Sequence, residues 1–223
     1  MDAATLHARI DAGMGKAARR LGPTATAYRP SGASNPIAGG NIIGTLPMAV
    51  SADPGYRYAK PNGYGHPVWF GLLDTSTLRV GDYLVRPDRR TGTEDGGTWF
   101  VAALQLHLPP MLISCNAVLT VTRPGGQAAG AGYYGGPTVA GETTVMTAWP
   151  GSILLRGQSK MSEVGLPGDA PLSVHDVLLP YAGVEIRPNA VITTAETPAR
   201  RYTLSGVERT DLGWRCTALL AAP

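Results

Sequence analysis

The sequence SVHDVLLPYAGVEIRPNAVI at residues 173–192 has a counterpart, PVWFGLLDTSTLRVGDYLV, at residues 67–85. Both consist of apolar runs interrupted by Gly, Pro, Asn or Asp, a pattern typical of β-strands and turns. The alignment pairs Val68 with Val174, Leu72-Leu73 with Leu178-Leu179 and, after one inserted residue, Asp82 with Asn189. Two copies of one β-rich unit are therefore expected.

Further blocks match in the same order along the chain, which is the signature of an internal repeat. They pair YRPSG from Tyr28 with TRPGG from Thr122, LPMAV from Leu46 with WPGSIL from Trp149, Trp99 with Tyr202, and Cys115 with Cys216. We predict an N-terminal helix over 1–22, a first β module over 23–121 and a second over 122–223. With 29 Gly and 19 Pro among 223 residues, short strands and many turns predict a mainly β fold, each module being a small β-barrel or sandwich.

The N-terminal segment is the one stretch with clear helical periodicity. Its apolar residues recur every three or four positions and so share one helix face. They are Leu6, Ile10, Met14, Ala17 and Leu21. Arg19 and Arg20 near the end suit the helix dipole. This helix either packs on its own module or docks on a neighbouring subunit, with Leu6, Ile10, Met14, Arg19 and Arg20 as the interface.

Charge and hydropathy exclude several classes of function. The net charge of +3 comes entirely from residues 1–30, with five basic and two acidic residues, so the rest of the chain is neutral. The absence of net charge beyond residue 30 argues against specific nucleic-acid binding, which needs clustered Lys and Arg. No apolar run reaches membrane-spanning length, and no secretory leader is evident, so a soluble chain without a membrane partner is expected.

The candidate catalytic groups do not form a catalytic pattern. His175 and Asp176 are adjacent in a predicted strand and would point to opposite faces. The GxGxxG match at residues 130–135 is not followed by a helix-forming sequence, so it does not predict a nucleotide site. Cys115 and Cys216 lack CxxC spacing and are expected to be small core residues. We predict a non-enzymatic protein with no cofactor and no metal site.

Two clusters of tyrosine could contact partners. Tyr133 and Tyr134 lie in a glycine-rich segment that is either a contact loop or a crossover between the modules. A second cluster could bind a carbohydrate or host surface, or could simply anchor a long loop. Its residues are Tyr56, Tyr58, Tyr64 and His66.

The end of each copy resembles the head-closure, adaptor and tail-completion proteins of tailed bacteriophages. In these small β-barrel proteins an acidic turn, an apolar pair, an aromatic-led strand and a Gly-x-Trp strand follow one another. The matching residues are Asp82, Leu84, Val85, Trp99 and Val101 in the first copy, and Asn189, Val191, Ile192, Tyr202, Leu204, Gly213 and Trp214 in the second.

This resemblance implies a structural subunit of a virion, made in the host bacterial cytoplasm. The expected role is a neck, collar or tail component that forms a homo-oligomeric ring and contacts other virion proteins. The alternative is a host-surface or carbohydrate-binding β module of a phage tail. A cell-wall hydrolase is the third class considered, and the sequence offers it no evident nucleophile, carboxylate pair or metal site.

Overall fold

The computed structural model describes residues 2–56, 65–87, 96–105, 107–125, 142–158 and 173–220. In this part of the chain one helix precedes thirteen strands, with a short 3-10 turn at Gly39–Asn41. The elements are α1 (Ala3–Leu21), β1 (Thr24–Tyr28), β2 (Ile42–Pro47), β3 (Ala49–Ser51), β4 (Val68–Leu72), β5 (Tyr83–Val85), β6 (Thr98–Ala103), β7 (Met111–Cys115), β8 (Ala117–Arg123), β9 (Thr143–Gln158), β10 (Ser173–Leu179), β11 (Val191–Thr194), β12 (Arg201–Thr210) and β13 (Gly213–Leu220).

The strands form two separate antiparallel sheets. Strands β1–β7 form a seven-stranded sheet in the order β2-β1-β5-β6-β7-β4-β3, and β8–β13 close into a barrel in the order β10-β13-β12-β11-β8-β9. Only Met48 separates β2 from β3, so the two edges of the first sheet meet and that sheet also curls round on itself. The predicted class, mainly β with an N-terminal helix and two β modules, is confirmed.

The two sheets share one strand order. The long strand β9 takes the places of β2 and β3 together, and β8, β10, β11, β12 and β13 take those of β1, β4, β5, β6 and β7. Each β-strand pair of one sheet then has its antiparallel equivalent in the other. The β-bulge after Val101 in β6 recurs after Leu204 in β12. This common topology is the structural counterpart of the repeat in the sequence.

The register agrees with the opening alignment. Val68 lies opposite Ile113 in the first sheet, and Val174 lies opposite Leu219 in the barrel. His175 therefore stands in the place of Trp69.

The alignment was wrong in two places, by one residue over 82–85 and at the cysteines. The Gly81 amide donates to the Val101 carbonyl (2.8 Å), as the Asn189 amide does to that of Leu204 (2.8 Å). Asn189 is thus the counterpart of Gly81, and Asp82 corresponds to Ala190. Gly81 (φ 92°) and Asn189 (φ 66°) both have left-handed backbones, which Gly and Asn tolerate best.

The two cysteines are not equivalent either. Leu112 lies opposite Val101, and Ala218 lies opposite Leu204. Cys115 ends β7, three residues after Leu112, whereas Cys216 lies inside β13, two residues before Ala218.

The chain passes from the first sheet to the barrel at Asn116. Strand β8, which the sequence alignment assigned to the first module, pairs with β9 and β11 of the barrel. The Asn116 amide donates to the Gly151 carbonyl (3.0 Å), and its side chain exchanges two hydrogen bonds with the backbone of Ile153. Because residues 111–123 contain neither Gly nor Pro, no turn signal marks the crossing.

The two modules share an apolar layer. In β5, Leu84 belongs to the core of the first sheet, while Tyr83 and Val85 belong to the larger core centred on the barrel. The Tyr83 hydroxyl donates to the Pro150 carbonyl (2.7 Å), and its ring packs edge-on against Trp149 at 6.1 Å. Strand β5 is buried on both faces because the second module covers its outer face.

Helix α1 begins at an Asp2 cap, whose carboxylate accepts a hydrogen bond from the Thr5 amide (2.8 Å). It packs against the first sheet through small residues, since Gly15 and Ala18 are its buried positions. A Cβ added to Gly15 would lie 3.2 Å from the Cβ of Asp74. Glycine at this position allows the helix to approach the β4–β5 connection closely.

Candidate interaction site

The apolar stripe predicted on α1 is only partly covered by the first module. Ile10 and Met14 are half-buried, whereas Leu6 remains 42% and Leu21 68% exposed. The face that packs on the module is set by Gly15 and Ala18, because their small size permits closer contact than the leucines allow. The helix therefore packs on its own chain and still presents apolar side chains outward.

The basic end of the same helix is also exposed. Arg19 and Arg20 face solvent, as does Lys16 one turn earlier. Lys16, Ala17, Arg20 and Leu21 line a concavity of about 430 Å³. None of these three cations forms an ion pair with any residue the structure describes. We call the surface formed by Lys16, Ala17, Arg20 and Leu21 the helix groove.

The hairpin between β12 and β13 carries a second exposed cluster, which the sequence analysis did not single out. Glu208 and Asp211 are exposed, and Leu212 is 37% exposed beside them. The tip is held by two short contacts: the Thr210 hydroxyl donates to the Gly213 carbonyl (2.7 Å), and the Leu212 amide donates to the Thr210 hydroxyl (3.2 Å). Because the two strands continue beyond the counterparts of β6 and β7, the tip has no match in the first module.

Of the predicted cluster of tyrosines with His66, the structure describes Tyr56 and His66. The Tyr56 hydroxyl donates to the Phe70 carbonyl (2.9 Å), and burial raises the pKa of the Tyr56 phenol well above its usual range. His66 is exposed and lines a cavity of about 190 Å³ with Trp69. Tyr58, Tyr64, Tyr133 and Tyr134 lie outside the described residues. For Tyr56 the geometry matches the loop-anchor interpretation.

His175 and Asp176 do not meet. The His175 ring packs edge-on against Tyr202 at 5.0 Å, and its Nδ1 lies 3.3 Å from the Ser173 carbonyl. Asp176 lies instead between Arg156 (3.6 Å) and Arg215 (3.9 Å). These three charged residues come from neighbouring strands and place opposite charges close together on the outside of the barrel.

A buried ion pair fixes the turn before β5. Asp82 is 1% exposed and accepts hydrogen bonds from Arg29 Nε (3.0 Å) and Nη2 (2.8 Å) and from the Arg79 amide (2.8 Å). The hydrogen bonds to Asp82 raise the pKa of the Arg29 guanidinium. The three hydrogen bonds accepted by the Asp82 carboxylate indicate that this ion pair has a structural role.

The N-terminal part of α1 meets the β6–β7 connection in a polar cavity. His7 and His107 pack edge-on at 4.9 Å, and the Thr75 hydroxyl donates to Asp11 Oδ1 (2.6 Å). The cavity measures about 150 Å³ and is also lined by Gln105. Within the described ranges, no three His, Cys, Asp or Glu side chains are grouped so as to hold a metal ion.

Neither thiol has the surroundings of a reactive cysteine. Both are free, with Cys115 half-buried and Cys216 buried. Burial raises the pKa of Cys115 far above its usual range and that of Cys216 to about 12. Both thiols are protonated at neutral pH, which disfavours nucleophilic chemistry.

Comparison of the chain with protein-family models, with curated proteins and with solved structures finds no match. In the ranges that the structure describes, no helix has the length and apolar character needed to span a membrane.

Proposed function

We propose that this protein is a non-enzymatic structural subunit of a tailed-bacteriophage virion, located in a neck, collar or tail ring. The strand-end motifs that resemble head-closure and tail-completion proteins motivate the class. The observation that carries an assembly role is the outer surface of α1: among the described residues Leu6 remains exposed near its start, and Leu21 remains exposed at its basic end with Arg19 and Arg20. An exposed apolar patch rimmed by charged residues is a common feature of surfaces that contact other proteins.

The tandem architecture suits a ring subunit. Two β modules with one strand order, joined by a buried layer around Tyr83 and Trp149, place two related strand frameworks in one chain. A ring built from such subunits would offer twice as many similar surfaces as it has chains. This would help adjacent layers of different rotational symmetry to meet.

The binding partners under this proposal are copies of the same chain and neighbouring virion proteins. Deleting the coding region from the phage genome tests the role. If the protein joins heads to tails or completes the tail, the lysate will contain separated heads and tails, or incomplete tails, by electron microscopy. Expression of the wild-type chain from a plasmid should restore complete particles. Fully assembled, infectious particles from the deletion strain would overturn the proposal.

A further inference from the structure

The helix groove presents positive charge and apolar surface together. Lys16 and Arg20 line the concavity together with the 68% exposed Leu21, and Arg19 is exposed on the same turn of the helix. In the described structure these cations have no carboxylate partner. A matching ligand would therefore combine an apolar side chain with two or more carboxylates.

The β12–β13 tip has this composition. Glu208 is an exposed acid near the end of β12, Asp211 is an exposed acid in the turn itself, and Leu212 follows it in the turn. Neither acid forms an ion pair within the described residues. The two clusters lie on different modules, and no salt bridge joins them within one chain.

The two arginines near the tip, Arg209 and Arg215, contact residues other than the tip acids. The Arg209 guanidinium stacks on the Tyr181 ring at 3.9 Å. Arg215 lies opposite Glu208 in the strand register but directs its Nη2 towards Asp176, at 3.9 Å. The acids at the tip thus remain available to a partner.

The tip is also ordered before it binds. Eight residue pairs connect β12 with β13, and the last of these, Thr210 with Gly213, closes the turn. A rigid hairpin loses less conformational entropy on docking than a flexible loop would.

We propose that the β12–β13 tip of one copy docks in the helix groove of a second copy. Leu212 would contact Ala17 and Leu21, and the tip carboxylates would face Lys16 and Arg20. This inference rests on the proposed ring function and names its subunit contact. Because the two surfaces differ, the contact is head-to-tail, and repetition closes a ring when the rotation between subunits permits it.

The contact is tested on the full-length chain by reversing the charges of the groove in one variant and those of the tip in another, and then combining the two. One variant carries Lys16→Glu with Arg20→Glu, and the other carries Glu208→Lys with Asp211→Lys. Molar mass is measured by light scattering after size-exclusion chromatography in about 0.1 M salt, where the Debye length is about 10 Å. The wild type should oligomerise, and each variant should associate at least about 100-fold more weakly.

Two further samples give the decisive result: an equimolar mixture of the two charge-reversal variants, and a single chain that carries all four substitutions. Both restore opposite charges across the contact. Each should recover the oligomer. Glu185→Lys with Glu196→Lys is the control for net charge, because these acids already pair with Arg187 and Arg200; this control should keep the wild-type mass. Circular dichroism verifies that all variants are folded.

Three results would overturn the inference: a monomeric wild type, reversal variants that keep the wild-type mass, or folded variants that stay monomeric when mixed. A wild-type oligomer insensitive to both reversals would remove this contact alone. The deletion experiment on phage particles would still decide the proposed function separately.

Discussion

Replacing Asp82 by alanine removes the acceptor at the centre of the turn before β5. The carboxylate accepts three hydrogen bonds, two from the Arg29 guanidinium and one from the Arg79 amide. Asp82→Ala leaves the Arg29 charge and the Arg79 amide without this partner. Removing one member of a buried ion pair typically costs 3–5 kcal/mol.

The Arg29 side chain is 31% exposed, so water can solvate part of its charge after the substitution. We therefore expect a loss near the lower end, about 3 kcal/mol in the free energy of unfolding. For a chain of this size such a loss lowers the Tm by roughly 6–12 °C.

Urea unfolding followed by tryptophan fluorescence measures the change. The double variant Arg29→Met with Asp82→Ala should lose less than the sum of the two single changes, because it leaves no unpaired charge. Glu196→Ala, which removes an exposed pair with Arg200 at 3.8 Å, is the matched control and should change stability by less than about 1 kcal/mol. A loss below about 1 kcal/mol for Asp82→Ala, or strict additivity in the double variant, would refute the reasoning.

Three further predictions concern the helix, the module contact and the thiols. Gly13→Ala should raise the free energy of unfolding by about 0.5–1 kcal/mol in urea melts, because the new methyl meets open space; Gly15→Ala should give no such gain, and an equal gain would contradict the close packing of α1. Tyr83→Phe should cost about 1–2 kcal/mol in the same assay by leaving the Pro150 carbonyl unpaired, and a neutral result would argue against the buried contact. Burial raises the pKa of the Cys216 thiol from 9.0 to about 12, so this thiol ionises at lower pH in the unfolded chain than in the folded one. The free energy of unfolding should therefore fall as the pH rises from about 9 towards 12, by at most about 1.4 kcal/mol per pH unit. Cys216→Ala should show a shallower decline, and an unchanged slope would count against the burial of this thiol.

The repeat was predictable because the strands that follow Val68 and Val174 keep their apolar pattern. The alignment failed where connections differ in length. Asn189 was matched to Asp82 by its chemistry, but its left-handed backbone makes it the counterpart of Gly81. A backbone requirement of this kind is visible in sequence only as a preference for Gly or Asn.

The contact between modules could not be predicted from periodicity. Tyr83, Leu84 and Val85 are all buried, so β5 lacks the alternation that would separate an inner from an outer face. The orientation of α1 was missed for a related reason. Its apolar stripe contains Leu6 and Leu21, but Gly15 and Ala18 determine the packed face because small residues allow the helix to come close.

The hairpin tip was also missed, since its acids and Leu212 have no pattern in the first copy to be compared with. Only the continued pairing of β12 with β13 shows that this segment projects as an ordered hairpin.

Quantitative mass spectrometry of purified phage particles tests the central claim most directly. The chain should copurify with the particles at a fixed, low ratio to the capsid protein, in a copy number set by a ring. Its absence from infectious particles, or an amount that varies between preparations, would contradict the structural role.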